Sequence, residues 1–194
     1  MKQIIILLGI PGSGKGTQAE RIADKHNYEH ISTGDIFRDL DRDQLSDEVY
    51  KEIKSYMDEG KVVPDKYVYK LAFPKIQQGL EDKDGVVLDG AIRTLEQAKS
   101  YQKFFRSQGL QEEVRVLEIK VPEQEAIRRL KKRGEDSGRS DDKEEIIKQR
   151  MEEQGQDALQ PILDYYDSLG VLKTVDGDQP IEEVEESIEE VLQY

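Results

Sequence analysis

The sequence predicts an α/β protein in which a central parallel five-stranded sheet is flanked by helices in a three-layer fold. Short apolar runs rich in β-branched residues alternate with longer stretches of helical periodicity, a pattern typical of a parallel sheet. The length of 194 residues suits one domain with small inserted segments. A glycine-rich loop directly after the first apolar run places the candidate site at the carboxyl edge of the sheet.

Five apolar segments are predicted strands, and seven periodic segments are predicted helices. The first strand, residues 4–8, is continuously apolar and rich in isoleucine, which is typical of a strand covered on both faces. The other predicted strands are residues 30–31, 86–88, 114–121 and 171–175. The predicted helices are residues 15–26, 35–58, 65–79, 94–108, 123–132, 142–168 and 181–192.

The composition argues against several classes of protein. With 29 Lys and Arg against 42 Asp and Glu, the net charge is −13, and so acidic a chain repels nucleic acids and anionic membranes at long range. The absence of cysteine excludes disulfides, thiolate catalysis and cysteine-bound zinc, and two histidines are too few for a histidine-rich metal site. We therefore expect small-molecule partners, no nucleic acid and no membrane. We also expect a monomer.

The N-terminal segment resembles a secretory signal only superficially. Its apolar run, residues 4–8, is too short, and glycine-rich and charged sequence follows it in place of a cleavage site. No apolar run reaches the ~18 residues that span a bilayer. We therefore interpret the run as a buried strand and expect a cytoplasmic protein.

A glycine-rich loop joins the first predicted strand to the first predicted helix. It reads Gly9-Ile10-Pro11-Gly12-Ser13-Gly14-Lys15-Gly16-Thr17. Glycines let successive backbone N–H groups point at an anion, and the helix adds its positive dipole end. Lys15 can reach the β and γ phosphates of a nucleotide, and Thr17 can help to hold Mg²⁺. The alternative is a glycine-rich turn with an incidental lysine, but the strand–loop–helix setting favours a phosphate loop.

The loop departs from the general phosphate-loop pattern, because Gly16 separates Lys15 from Thr17. This variant, from Gly9 to Gln18, resembles the adenylate kinase family. Further segments resemble motifs of that family in the same order: residues 32–38, 60–65, 88–98, 129–142, then Arg150, Pro161, Tyr165-Tyr166 and residues 175–177. The resemblance covers essentially the whole chain, so it is far more specific than the loop alone.

The resemblance implies reversible Mg²⁺-dependent transfer of a phosphoryl group from ATP to AMP, giving two ADP. It implies ATP contacts at Gly12, Ser13, Gly14, Lys15, Gly16, Thr17, Arg129, Arg133 and Gln179. It implies AMP contacts at Thr33, Arg38, Lys61, Val62, Val63, Gly90, Ala91, Ile92, Arg93, Gln97, Arg139 and Arg150. The implied catalytic residues are Lys15, Arg93, Arg133, Arg139 and Arg150.

This chemistry explains why arginine and lysine predominate among these positions. Phosphoryl transfer between nucleotides requires charge neutralisation, alignment and the exclusion of water, and an ionised phosphate acceptor needs no general base. Arginine offers paired planar donors to phosphate. The resemblance assigns the acceptor phosphate to Arg38 and Arg93, the donor side to Arg129 and Arg133, and the transferred group to Arg139 and Arg150.

The resemblance also bears on base selection and on the metal. Relatives that phosphorylate UMP or CMP usually carry Ala and Asn where this chain has Thr33 and Gln97, a pair that resembles the AMP-selecting one. Asp89 ends a predicted strand and can order a Mg²⁺-bound water beside Thr17, and no zinc is expected. Asp35 either supports the metal shell or helps to start a helix.

One domain, residues 1–194, is expected, with a core formed by residues 1–31, 64–132 and 143–194. Residues 32–63 are the implied AMP-binding segment, and residues 133–142 are a short lid without cysteine or histidine. The two histidines of the chain, His26 and His30, are interpreted as structural.

Two departures from the family pattern are specific enough to test. Ala91-Ile92 replaces Phe-Pro, a bond that is commonly cis in the family. We expect a trans bond here, because the cis form of a peptide bond is low in free energy only before proline. Arg150 and Pro161 are one residue further apart than usual, with Gly155 between them, and the usual Tyr and Thr of that stretch are missing, with Gln154 and Leu159 nearby.

Two other functions stay open on sequence grounds. One is a kinase for another nucleoside monophosphate such as UMP or CMP. The other is a nucleotide-binding module without turnover, although a binding module would not need a second cluster of arginines for an acceptor. The family reads the donor base weakly, so the donor can also be GTP or another triphosphate.

Overall fold

The structure is a computed structural model that describes residues 2–40, 46–137 and 140–192. Its sheet contains β1 (Gln3–Leu8), β2 (Tyr28–Ser32), β3 (Gly85–Asp89), β4 (Val114–Lys120) and β5 (Leu172–Asp176). The strand order is β2-β3-β1-β4-β5, and every pairing in this sheet is parallel. The prediction of an α/β fold with a five-stranded parallel sheet is therefore confirmed.

Helices connect the strands. They are α1 (Lys15–His26), α2 (Thr33–Arg38), α3 (Asp47–Asp58), α4 (Asp65–Asp82), α5 (Leu95–Ser107), α6 (Glu123–Ser137), α7 (Glu144–Gln154), α8 (Gln156–Ser168) and α9 (Ile181–Leu192). Short 3₁₀ turns occupy Gln111–Glu113 and Ser140–Asp142. Within the described ranges, no helix is both long enough and apolar enough to cross a membrane.

Helices cover both faces of the sheet and bury its strands between two apolar layers. Ile22 of α1 packs in the smaller cluster together with side chains of α9. Tyr101 of α5 and Tyr166 of α8 belong to the larger cluster on the opposite face. Successive residues of β1 enter different clusters, Ile5 the smaller and Ile6 the larger. Because both faces are covered, β1 is apolar at successive positions, as the sequence indicates.

The predicted helix over residues 35–58 is wrong, because the chain leaves the helix after Arg38. Lys54 of α3 stabilises that end by donating to the carbonyl oxygens of Phe37 at 3.1 Å and Arg38 at 2.9 Å. Ser46 then begins α3, since its hydroxyl accepts a hydrogen bond from the Val49 N–H at 3.4 Å.

The predicted helix over residues 142–168 is also wrong, because Gly155 separates α7 from α8. Its backbone is extended, with φ −75° and ψ −165°. A Cβ atom at Gly155 would lie 2.3 Å from the carbonyl oxygen of Met151, which explains why glycine occupies the break. Gly155 thus forms a bend between two helices.

Two further findings concern segments that the sequence marked as unusual. Helix α6 continues to Ser137, so the first half of the expected lid is helical. The Ala91–Ile92 peptide bond is trans, as expected, and both side chains are buried.

The parallel sheet brings three strand ends to one edge. β1 leads into the glycine-rich loop, β2 ends at Ser32 and β3 ends at Asp89. Since parallel strands place their carboxyl ends at the same edge, the residues that follow these three strands form one site.

Candidate active site

The glycine-rich loop is packed too closely for side chains at two of its positions. Gly9 and Gly12 have φ of +145° and +86°. A Cβ at Gly9 would lie 2.6 Å from the Ile119 carbonyl oxygen, and one at Gly12 would lie 2.4 Å from that of Ala126. The loop therefore fits against the end of β4 and the first turns of α6 only as glycine.

Lys15 begins α1 and turns its side chain back over the loop. Its Nζ donates to the carbonyl oxygens of Gly9 at 2.7 Å and Ile10 at 2.9 Å, and to Ser13 Oγ at 3.3 Å. Burial lowers the pKa of Lys15 to about 8, with Asp89 opposing the shift. The ammonium is thus held among neutral acceptors that phosphate oxygens can replace.

One cleft, called here the first cleft, has a volume of about 360 Å³, within the usual range for small-molecule sites. It is bounded by the loop and the ends of β2 and β3. Its cationic lining consists of Lys15, Arg38, Arg93, Arg129, Arg133 and Arg150. Six cations at one cleft of a chain with net charge −13 mark a site for anions.

A second cleft adjoins the first. Its lining includes the predicted acceptor-side residues Thr33, Lys61, Val62, Val63, Gly90, Ala91 and Gln97, whereas Ile92 lines the first cleft. Arg38, Arg93 and Arg150 line both clefts. These three arginines therefore stand at the junction between the two clefts.

Two neighbouring aspartates hold the arginines on the α6–α7 side. Arg133 donates to Asp142 through Nε at 2.6 Å and Nη2 at 2.7 Å, and these hydrogen bonds raise the pKa of Arg133. Arg150 reaches Asp141 at 3.0 Å and Asp142 at 3.1 Å. Burial lowers the pKa of Arg150, and both carboxylates oppose that shift.

Arg38 and Arg93, which also line both clefts, have different partners. Arg38 pairs with Asp35 at 2.5 Å and lies 3.9 Å from Asp141. Arg93 donates through Nε to the Gly90 carbonyl oxygen at 3.1 Å. Burial lowers the pKa of Arg93 to about 10, and Arg150 adds to the shift, so the guanidinium remains charged at neutral pH. Asp35 thus acts at least as a partner of Arg38.

Arg129 lines the first cleft, whereas Gln179 does not. Arg129 donates to Glu125 at 2.7 Å and to the Gly177 carbonyl oxygen at 3.0 Å. Gln179 is exposed and donates to Asp176 at 3.0 Å, and it is absent from the described lining of both clefts. Its contact with the donor base stays a prediction. Arg139 lies outside the described residues.

The two side chains expected to read the acceptor base have fixed partners. Thr33 Oγ1 donates to the Gly90 carbonyl oxygen at 2.6 Å. Gln97 accepts from the Arg93 backbone N–H at 2.6 Å and donates to Asp65 at 2.8 Å. Both side chains are buried, and both line the second cleft.

Thr17 and Asp89 line the first cleft beside the loop, as expected for residues near a nucleotide-bound metal. A Cβ at Gly16 would lie only 3.4 Å from Asp89 Oδ2, so the carboxylate approaches the first turn of α1. No group of three or more His, Cys, Asp or Glu that could hold a metal occurs among the described residues. A hydroxyl and one carboxylate fit Mg²⁺ that is held mainly by phosphates and water.

Gln154 and His30 are among the lining residues that sequence reasoning did not assign to the site. Gln154 lines both clefts and donates to the Gly60 carbonyl oxygen at 3.2 Å. Its place one helical turn after Arg150 is the signal that could have found it. His30, interpreted as structural, lines the first cleft, and its Nε2 is buried without a hydrogen-bond partner among the described residues.

The fold and the site together define a class of protein. A phosphate loop between β1 and α1, with arginines around two adjoining clefts, is the arrangement of a P-loop phosphotransferase. A sequence model described as adenylate kinase matches residues 7–171. The chain belongs to the adenylate kinase family and is therefore an enzyme with adenylate kinase function.

Curated relatives resemble the chain over nearly its whole length. It is 38% identical over 179 residues to an adenylate kinase of Bacteroides thetaiotaomicron, covering 89% of this chain and 92% of the relative. It is 38% identical over 190 residues to an adenylate kinase of a Synechococcus species, covering 97% of this chain and 95% of the relative. An adenylate kinase of Staphylococcus epidermidis is 35% identical over 218 residues, covering 98% of this chain and 99% of the relative. Adenylate kinases bind ATP, AMP and ADP and generally use Mg²⁺ with ATP.

Proposed function

We propose that the first cleft binds MgATP, that the second cleft binds AMP, and that phosphoryl transfer at their junction gives two ADP. The observation that carries the proposal is the position of Arg38, Arg93 and Arg150, which line both clefts. Two nucleotides bound in adjoining clefts would bring their phosphates together where these guanidinium groups lie.

The proposed mechanism is positioning and charge neutralisation. Loop N–H groups and Lys15 bind the β and γ phosphates, while Arg133 and Arg150 exchange carboxylate partners for the transferred group. Arg38 and Arg93 align the acceptor phosphate, which attacks without a general base. Arg139 is proposed to join Arg150, and Arg129 to contact the donor nucleotide.

Thr17 and Asp89 are proposed to hold Mg²⁺, Asp89 through bound water. The ion, when bound with ATP, would neutralise phosphate charge and order the donor phosphates. Asp89 would also orient the charged groups around it, because its carboxylate interacts with both Lys15 and Arg93.

The segments around the clefts are proposed to act as covers. Described residues of the segment 32–63 line part of the second cleft, and Arg133 and Asp141 of the segment 133–142 line the first cleft. Closure of both would exclude water from the reacting phosphates.

A coupled assay tests the reaction and its acceptor. ATP with AMP should give ADP, whereas CMP, UMP and GMP should give little, and GTP should replace ATP in part. A second monophosphate used better than AMP would favour another nucleoside monophosphate kinase, and no turnover would favour a binding module.

Arg93→Ala tests the junction directly. We expect kcat/KM to fall by about 10²–10³-fold, because a positioned donor to developing phosphate charge is lost. The matched control is Arg128→Ala, since Arg128 is exposed and pairs with Glu125 outside both clefts. Equal activities of the two variants would contradict the proposal.

A further inference from the structure

The carboxamide of Gln97 is held at both ends by groups of fixed polarity. Its Nε2 donates to Asp65 Oδ1 at 2.8 Å, and its Oε1 accepts from the Arg93 backbone N–H at 2.6 Å. A carboxylate can only accept hydrogen bonds, and a backbone N–H can only donate. The two contacts therefore demand the same orientation of the amide.

Rotation of the carboxamide by half a turn would reverse both contacts. Oε1 would then face the Asp65 carboxylate, and the amide N–H₂ would face the Arg93 N–H. Gln97 is only 1% exposed, so water cannot compensate the two mismatches. A glutamine without these partners could turn either end toward a base.

The fixed orientation determines what Gln97 and Thr33 present to the second cleft. Gln97 keeps one free N–H and one free lone pair on Oε1 after its two internal bonds. Thr33 donates its single hydroxyl proton to the Gly90 carbonyl oxygen, so it can offer the second cleft only lone pairs. Both oxygens of the pair are thus committed to accept.

Purine monophosphates differ in what they place opposite such oxygens. Adenine carries an amino group at position 6, which donates, whereas guanine and hypoxanthine carry an oxygen there, which accepts. An amino group donates a hydrogen bond to a fixed acceptor. A 6-oxo group would instead place an acceptor opposite an acceptor, and neither oxygen would receive a hydrogen bond from the other. A buried polar mismatch of this kind discriminates strongly between ligands.

Asp65 is itself well anchored. It is the first residue of α4, while Gln97 belongs to α5, so the contact joins two helices that are distant in sequence. Tyr69 donates to the other carboxylate oxygen, Oδ2, at 3.2 Å. The Tyr69 ring in turn packs against Phe73 at a centroid distance of 5.0 Å and against Tyr101 at 6.2 Å.

We propose that Asp65 is a specificity-determining positioning residue that locks the Gln97 carboxamide in the orientation that accepts 6-amino purines and rejects 6-oxo purines. The proposal rests on the proposed binding of the acceptor nucleotide in the second cleft. Asp65 acts through Gln97 and needs no contact with the base.

Asp65→Asn tests the lock, with ATP as donor and AMP or IMP as acceptor. An asparagine can present either an oxygen or an N–H₂ group to Gln97, so the substitution removes one of the two contacts that fix the amide and leaves only the Arg93 N–H to favour the original orientation. We expect the ratio of kcat/KM for AMP to that for IMP to fall by about tenfold, which corresponds to about 1.4 kcal/mol. The KM for ATP should not change.

Two comparisons separate the lock from a structural role. Asp65→Ser, which removes the carboxylate from the first position of α4, should lower the ratio as well. Glu96→Gln removes an exposed acid from the first turn of α5 and should leave the ratio unchanged. In a Gln97→Ala background, Asp65→Asn should have no further effect on the ratio.

The outcomes distinguish the lock from the acceptor site. If folded Asp65→Asn and Asp65→Ser lower kcat/KM for AMP and IMP by the same factor, the lock is refuted while the site stands. If Gln97→Ala changes neither the KM for AMP nor the ratio, the proposed acceptor site fails and the lock fails with it.

Discussion

Lys15 is a charged side chain whose burial sets the pH range in which it can work. Burial lowers its pKa to about 8, so the amine is still largely protonated at pH 7. Its present partners are carbonyl and hydroxyl oxygens of the loop, so its removal would take away charge and leave the apolar layers intact.

Replacing Lys15 by Ala should reduce kcat by about 10²–10³-fold, because the donor phosphates lose a positioned positive charge. Circular dichroism and thermal unfolding should show a folded protein. Lys25→Ala is the control, since Lys25 lies on the same helix and is half exposed. Normal turnover by a folded Lys15→Ala variant would refute the role assigned to the loop.

The pH dependence of kcat/KM for ATP should report the protonation state of Lys15. A lysine whose pKa is lowered to about 8 loses its proton as the pH rises through that value, so kcat/KM for ATP should decline above about pH 8. The decline in kcat should lie at higher pH, because bound phosphates favour the charged form. Lys15→Arg stays charged and should lack this limb. The same alkaline limb in both proteins would count against the assignment.

At the scale of elements, Gly155 decides where α7 ends and α8 begins. The break lies between Arg150, at the junction of the clefts, and Leu159 and Ile162, which line the first cleft from α8. The direction in which α8 leaves α7 therefore affects the wall of the site.

Gly155→Ala should destabilise the protein by about 1–3 kcal/mol, because the new methyl group would overlap the Met151 carbonyl oxygen and force the helices apart. Chemical denaturation measures the change in the free energy of unfolding. Gln156→Ala at the adjacent position should change it by less than about 0.5 kcal/mol. Equal effects of the two substitutions would show that the break is not sterically imposed.

At the scale of the whole molecule, contacts cross the junction between the expected AMP-binding segment and the α6–α7 side. Arg38 lies 3.9 Å from Asp141, and Gln154 donates to the Gly60 carbonyl oxygen at 3.2 Å. These polar contacts are few and partly exposed, so bound phosphates can compete with them.

A compound that joins two adenosines through five phosphates should slow amide hydrogen exchange in residues 32–63 and in residues 133–142. ATP alone should slow exchange mainly in residues 133–142, because the second cleft stays open. Mass spectrometry of peptides from each segment distinguishes the cases. Unchanged exchange in both segments with the two-nucleotide compound would contradict closure over the clefts.

The sequence by itself determined the fold class, the phosphate loop and the family. These features depend on patterns within short stretches: the apolar run of β1, the glycines before Lys15, and the order of motifs along the chain. The trans bond at Ala91–Ile92 could be predicted for the same reason, since the cost of a cis bond depends on the two residues it joins.

Only the tertiary structure decided which residues share the junction and what holds them. The contact between Asp65 and Gln97 joins side chains 32 positions apart, and nothing in either local segment indicates it. The end of α2 after Arg38 depends on hydrogen bonds from Lys54 of α3, and the break at Gly155 depends on the Met151 carbonyl oxygen one turn away. Helical periodicity does not show these contacts, so both predicted helices were too long. Periodicity records which face of a segment is buried, whereas partners across a cleft are set by how the segments pack.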